Sequence, residues 1–180
     1  HEVAFGEYVF QNGKETFQIP EGKVEVVNGD VNIGIRGEDF HVMFSRKIGS
    51  LVSLQYSGRE MIQEPPKPLF WRALTDNDRG NLFGFTSGAW YAASFLPKCI
   101  DVSFEDKDSY ATIHFLYALS IHEKSKVKVS YTVYANGSIR VAYSYKGAKG
   151  LPDIPIHAVS FKTSPEYENL EWYANGPEEN

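Results

Sequence analysis

The stretch Phe70 to Gly80, "FWRALTDNDRG", concentrates two aromatics, two arginines, two aspartates and an asparagine in eleven residues. Side chains of these types can bind a cation, share protons or lock one another in charge-assisted hydrogen bonds. "DNDRGN" resembles the start of a calcium loop. Its glycine comes one place early relative to the oxygen ligands, however, and the twelfth position is Ser87 instead of Glu. An ion-paired loop fits better: the Arg72 guanidinium and the carboxylates of Asp76 and Asp78 are expected to form a network with backbone amides, while Phe70 and Trp71 fill the core. No metal site is expected.

The usual catalytic signatures fail. There is no G-x-S-x-G elbow, Walker loop, G-x-G-x-x-G, or H-E-x-x-H, and Cys99 has no second cysteine with which to hold zinc or form a disulfide. Histidines at 1, 41, 114, 122 and 157 lack ligand spacing and read as solvated or hydrogen-bonded strand residues. Spacing nominates no catalytic pair among 23 acidic residues.

The elements that must carry the 70–80 stretch are strands. Short segments rich in Val, Ile, Phe and Tyr recur between Gly, Pro, Asn and Asp clusters, the pattern of an all-β protein. "KVEVV", "VNIGIR", "FHVMFS" and "LVSLQY" follow in succession, with Val31, Ile33 and Ile35 on one face and Phe40, Val42 and Phe44 on another. "IGS" and "SGRE" supply turns between them.

In "KVKVSYTVYANGSIRVAYSY" a two-residue Asn136-Gly137 turn would set Val133 opposite Arg140 and split the apolar sets between faces. A three-residue loop, Ala135 to Gly137, pairs Val133 with Ile139 and Val129 with Tyr143, and needs Gly137 in the left-handed region. That hairpin also accounts for Asn136-Gly137-Ser138, formally a glycosylation sequon. Helix signal is confined to "SGAWYAASF", with Ser87 as its N-cap, and "QEPPKP" reads as an extended loop instead of a central strand.

Composition bounds the rest. With 180 residues, 42% hydrophobic and 23% charged, the chain fits one domain with a sizeable core, with or without a fragment of another attached, and disorder is not expected. A net charge of -5 with scattered Lys and Arg argues against nucleic acid, and no apolar run is long enough to span a bilayer. The single cysteine suits a reducing compartment, so a cytoplasmic location is expected. The chain opens on His1 rather than Met and is expected to come from something longer.

Two motifs carry a family resemblance. "EPPKPLFWRALTDNDRGN" resembles the R-x-P-x-D-N-D signature of the glycoside hydrolase family 2 β-galactosidases through Arg72, Asp76, Asn77 and Asp78, with Gly80 following. "LEWYANGPEEN" resembles their W-x-G-x-G-P-x-E-N through Trp172, Gly176, Pro177, Glu179 and Asn180. Leu74 stands where the family usually has Pro, and Ala174 where it often has Gly. "SGAWYAASF" is similar to the continuation in lactobacillus-type enzymes, "FHVMFSRKIGSLVSLQYSGREMI" to the opening strand pairs of the small-chain domain, and "HEVAFGEYVF" to the last strand of the immunoglobulin-like domain before it.

The resemblance implies an antiparallel β-sandwich, the N-terminal half of a galactose-mutarotase-like supersandwich, with one short helix. Residues 1–15 would be the end of the preceding domain and a linker, and residues 16–180 the small-chain domain. It implies no catalytic residue and no cofactor in this segment. The catalytic glutamates would lie in a barrel elsewhere, in the rest of the chain or in a large subunit, which would be the partner along with a β-galactoside substrate. Asp78, Arg79, Gly80 and Asn81 would form a loop beside the active site with Gly80 as hinge, while Arg72, Asp76, Asn77 and the second motif would be structural. The alternatives are a carbohydrate-binding sandwich and a purely structural interface domain. A sandwich severed partway is also expected to self-associate.

Overall fold

The computed structural model describes residues 17–171. In chain order the strands are β1 Glu25–Asn28, β2 Asn32–Arg36, β3 Phe40–Ser45, β4 Ser50–Tyr56, β5 Arg59–Glu60 and β6 Ile62–Leu69. Three short helices follow: α1 Asp76–Gly80, α2 Phe83–Thr86 and α3 Ala89–Phe95. The chain then returns to strands, β7 Lys98–Lys107, β8 Tyr110–Ala118, β9 Lys126–Tyr134, β10 Ile139–Lys146 and β11 Ala158–Thr163. The expected all-β sandwich forms, with three short helices in place of one.

Every strand pair is antiparallel, in sheets ordered β1-β2-β3-β4-β5, β10-β9-β8-β7 and β11-β6. The core lies between the first two. Alternation puts Ile33, Ile35, Phe40, Val42 and Phe44 inward from one sheet, and Ile113, Phe115, Val127, Val129, Tyr131 and Val133 inward from the other. Val31 lies outside β2 and is exposed, so the apolar stripe of that strand is two residues long, Ile33 and Ile35. Phe44 joins the layers, 6.1 Å from Phe115 and 5.4 Å from Tyr131, centroid to centroid.

The β9–β10 hairpin has the expected register, with Val133 opposite Ile139 and Val129 opposite Tyr143. Gly137 takes φ 79°, and its carbonyl accepts from the Tyr56 hydroxyl at 2.6 Å, tying the turn to the opposite sheet. A Cβ at Gly137 would sit 3.0 Å from Phe40 and 3.1 Å from Tyr56. Gly49, at φ 74°, accepts from the buried Tyr117 hydroxyl in a similar stitch.

Two expectations fail. "QEPPKP" is part of β6, paired with β11 in a two-stranded sheet whose register shifts between Ser160 and Lys162. Prolines are tolerated there because an edge strand with a shifted register does not require every amide to donate. The N-cap of α3 is Gly88, without a side-chain cap, and Ser87 is instead buried just before it. Among the described residues no helix is long and apolar enough to cross a membrane.

Gly137→Ala combines a disfavoured positive φ with two close contacts, and is expected to cost about 1 to 3 kcal/mol. Denaturant unfolding of the two proteins measures it, and equal midpoints at equal slopes would refute this account of the turn.

Candidate functional site

Residues 70–81 leave the sandwich at the end of β6 and pass into α1. Phe70 anchors the exit. Its ring is fully buried, 5.4 Å from Trp90 and 5.7 Å from Tyr145, and its amide donates to Ser94 Oγ at 2.9 Å. Ser94 Oγ in turn donates to the Trp90 carbonyl at 2.8 Å, and Trp90 Nε1 to the Pro152 carbonyl at 3.0 Å. Trp71 is half-buried and meets Tyr91 edge-on at 5.8 Å. The two aromatics thus divide the work: Phe70 belongs to the core, Trp71 to its rim.

Just beyond, Arg72 donates from Nη1 to Asp78 Oδ2 at 2.6 Å and to the Ala73 carbonyl at 3.0 Å, and from Nε to the Pro155 carbonyl at 3.2 Å. Asp78 Oδ2 also accepts from the Thr75 amide at 2.8 Å, while Thr75 Oγ1 accepts from the Asp78 amide at 3.2 Å. This reciprocal pair is a capping box on α1 with Asp at the third helical position. The Arg72 and Thr75 bonds hold the Asp78 carboxyl down, from an ordinary 3.8 to about 2.

The ion-pair network is smaller than expected. Asp76 pairs with Arg79 at 2.8 Å, one helical turn along, and both are exposed. The reason is helical phase: once Thr75 caps α1, Asp78 is the carboxylate that turns back to the cap and Arg72, leaving Asp76 to the solvent side. Asn77 contributes its carbonyl to the Asn81 amide at 3.0 Å, closing the helix.

Asp78, Arg79, Gly80 and Asn81 are therefore contiguous on α1 and its C-cap. Gly80 lies in open space, where an added Cβ meets nothing within 4 Å. The strained residue of the segment is Leu82, at φ 55°. Sequence reasoning missed both Leu82 and Thr75. The T-x-x-D spacing of a capping box was there to find Thr75, whereas no signal marks a leucine at positive φ.

The segment whose sequence resembles the start of a calcium loop is helical, and both of its carboxylates are engaged by arginines. Among the described residues no group of three or more His, Cys, Asp or Glu side chains could hold a metal ion. His114 pairs with Ser130 across β8 and β9 at 2.7 Å, in the role expected for strand histidines. Trp172, Gly176, Pro177, Glu179 and Asn180 lie outside the described residues, as do residues 1–15.

A compact, depressed carboxylate held by a guanidinium is unsuited to proton transfer near neutrality. What this arrangement can do is fix where α1 begins and present Arg79, Asn81 and Leu82 from a defined base.

The family model described as "Beta galactosidase small chain" matches residues 36–180. The chain is 52% identical to a β-galactosidase of Halalkalibacterium halodurans across all of its own length and 18% of the relative's. It is 40% identical to a β-galactosidase of Clostridium acetobutylicum, again over its full length and 20% of the relative's. With a β-galactosidase small subunit of Latilactobacillus sakei it shares 38% identity over 77% of this chain and 50% of that subunit. The chain thus spans about a fifth of the two long relatives.

Because the Asp78 carboxyl is depressed in the folded state, its contribution to stability is fully present above the ordinary carboxylate range near 3.8 and disappears as pH falls through about 2. Arg72→Met removes the main cause. The melting-temperature gap between parent and Arg72→Met is expected to hold steady from pH 7 to 5 and to shrink progressively below pH 4. A gap independent of pH would show that Arg72 acts through packing alone.

Proposed function

This chain belongs to the β-galactosidase small-chain family, and from that premise we propose that it is a non-catalytic accessory part of a β-galactosidase. The full-length 52% identity to one such enzyme is the observation that carries the reading. The whole enzyme removes terminal β-D-galactose from lactose-like β-galactosides. As a family 2 glycosidase it does so with retention, using two glutamates in a barrel that these residues do not include. Residues 16–180 form the N-terminal part of the small-chain domain, and residues 1–15 end the immunoglobulin-like domain before it.

The accessory role falls to α1. Arg72 and Thr75 hold Asp78, so Arg79 and Gly80 in the last turn of α1 and Asn81 at its C-cap form an edge that borders the sugar site and adjusts its closure. In support, this helical turn is fixed at its base by the Arg72–Asp78 pair, while Gly80 has free space around it.

A structural interface is the second reading, favoured by a separate observation. Leu82, Phe85, Tyr91, Phe95 and Leu96 on the helical segment are all more than half exposed, an apolar cluster suited to packing on a neighbouring domain. The free-standing sugar-binding module has less behind it: Trp71 and Trp90 are half-buried and buried respectively, so neither offers an open stacking platform.

The isolated chain is expected to hydrolyse no chromogenic β-galactoside above background, and turnover that tracks the protein through purification would overturn the accessory reading. In the whole enzyme, Gly80→Ala is expected to change KM and kcat together while leaving the melting temperature within about a degree, because the helix accepts alanine and no neighbour is struck. Phe85→Ser separates the two readings: weakened assembly with normal kinetics of the residual complex supports the interface, and altered kinetics of an intact complex supports the loop.

A further inference from the structure

Lysines that lie apart in the sequence meet at one end of the β7–β10 sheet. Lys126 opens β9 and Lys146 closes β10, and the antiparallel register sets them directly opposite one another. Lys98 continues the same row, since it pairs with Ala118 and Ala118 with Lys126. Their neighbours Tyr117, Val127 and Tyr145 turn to the core, so the lysines project from the outer face. Like charges directly opposite across a strand pair repel, and this row costs the sheet stability.

Two loops fold the row into a groove of about 610 Å³. One wall is the β8–β9 turn, fixed where the Ser125 amide donates to the His122 carbonyl at 2.9 Å and the Leu119 amide to the Ser125 carbonyl at 3.1 Å. It presents His122, Glu123 and Lys124, and the chain just after β10 supplies the other wall with Lys149. Among the described residues four lysines and one glutamate line the groove, no arginine does, and none of the four lysines is in an ion pair. His122 adds a further donor: its Nδ1 accepts from the Lys124 amide at 3.0 Å, which puts the proton of the neutral ring on Nε2. In a chain of net charge -5, so local an excess of donors and positive charge is matched to an anion.

We propose that this groove binds the phosphoryl group of a small molecule. Lys126 and Lys146 approach its oxygens from adjacent strands, their Cβ atoms about 5 Å apart. Lys124 and Lys149 close on it from the two walls, and His122 donates from Nε2. Ammonium groups are point charges that can approach a tetrahedral anion from several directions, whereas a planar carboxylate is best met by the arginine fork that this groove lacks. The volume exceeds what one phosphate needs and falls in the range of small-molecule sites, which leaves room for an ester such as a sugar phosphate. A nucleic-acid strand fits less well. Along the outer face beyond Lys128 come Ser130, Ala142 and Ser103, and then Glu105, so the basic surface stops short of a track for a polymer backbone. This site is separate from the role proposed for α1 and does not depend on it.

Calorimetric titration of the full-length protein that contains this chain tests the site, with glucose 6-phosphate, inorganic phosphate and unmodified glucose as probes at one fixed ionic strength. Saturable binding of glucose 6-phosphate and none of glucose is expected. Inorganic phosphate binding as tightly as the ester assigns the site to the free anion, and tighter binding of the ester assigns it to a phosphorylated metabolite; the absence of both overturns the proposal. Lys126→Gln and Lys146→Gln are each expected to weaken the phosphate probes at least about 10-fold, the loss of one charge-assisted hydrogen bond. Lys162→Gln, at an exposed lysine paired with Glu64, is expected to change nothing. Undiminished binding in both groove variants would place the ligand elsewhere and overturn the proposal. Melting temperatures separate binding from a structural role. Without ligand the Lys126→Gln protein is expected to melt no lower than the parent, because a cross-strand repulsion is removed, and to lose most of the upward shift that the probe gives the parent. A lower melting temperature without ligand and an undiminished shift with it would show that Lys126 serves the fold alone. Tighter binding of a polyglutamate peptide or a single-stranded oligonucleotide than of either phosphate would mean docking of an acidic polymer, and the proposal would be wrong.

Discussion

The contact of Phe44 with Phe115 and Tyr131 is the constraint on which the other parts depend, because it sets two twisted sheets face to face at one register. Neither sheet could stay folded with its inner face in water. Once they meet, the alternate residues of β2, β3, β8 and β9 leave solvent together, at roughly 25 cal/mol for each Å² of apolar surface. The polar stitches then act on a geometry already set. Tyr56 reaches Gly137 and Tyr117 reaches Gly49, each joining a turn of one sheet to a strand of the other. Both turns need glycine because the carbonyl can be aimed that way only at positive φ.

The helical segment depends on the sandwich through Phe70. It has few means of its own to fold, since its helices run 5, 4 and 7 residues, far below the length at which an isolated helix persists. Burial of Phe70 against Trp90 and Tyr145 fixes where the segment starts, and Ser94 ties the Phe70 amide to α3. Arg72 then has a defined origin from which to reach both Asp78 and the Pro155 carbonyl, 83 residues away. The pair is partly exposed and adds less to stability than to position, as befits a brace beneath a loop.

Periodicity made the sandwich legible. The hairpin register could be read because a one-residue slip would have turned Arg140 inward, and the fold obeys that exclusion down to the left-handed Gly137. What could not be read depended on partners distant in sequence. β6 is a strand despite its prolines because β11, about ninety residues on, runs beside it with a shifted register. The choice of Asp78 over Asp76 as partner for Arg72 followed from where α1 begins, and Thr75 decided that. α1 was itself unread, since "DNDRG" carries no apolar periodicity. Leu82 shows the converse limit, for its positive φ follows from the joining of α1 to α2 and not from its own preference.

Residues 152–157 connect these features physically. The Pro152 carbonyl receives the Trp90 indole, the Pro155 carbonyl receives Arg72, and His157 stacks on Tyr143 at 4.3 Å. Tyr143 belongs to β10, and the Phe70 ring lies 6.2 Å from the same His157 ring. The Arg72–Asp78 brace and the Tyr143 ring therefore both rest against one short segment, which has no strand or helix of its own. A helical segment braced in this way is positioned by carbonyls some eighty and sixty residues away as much as by its own sequence.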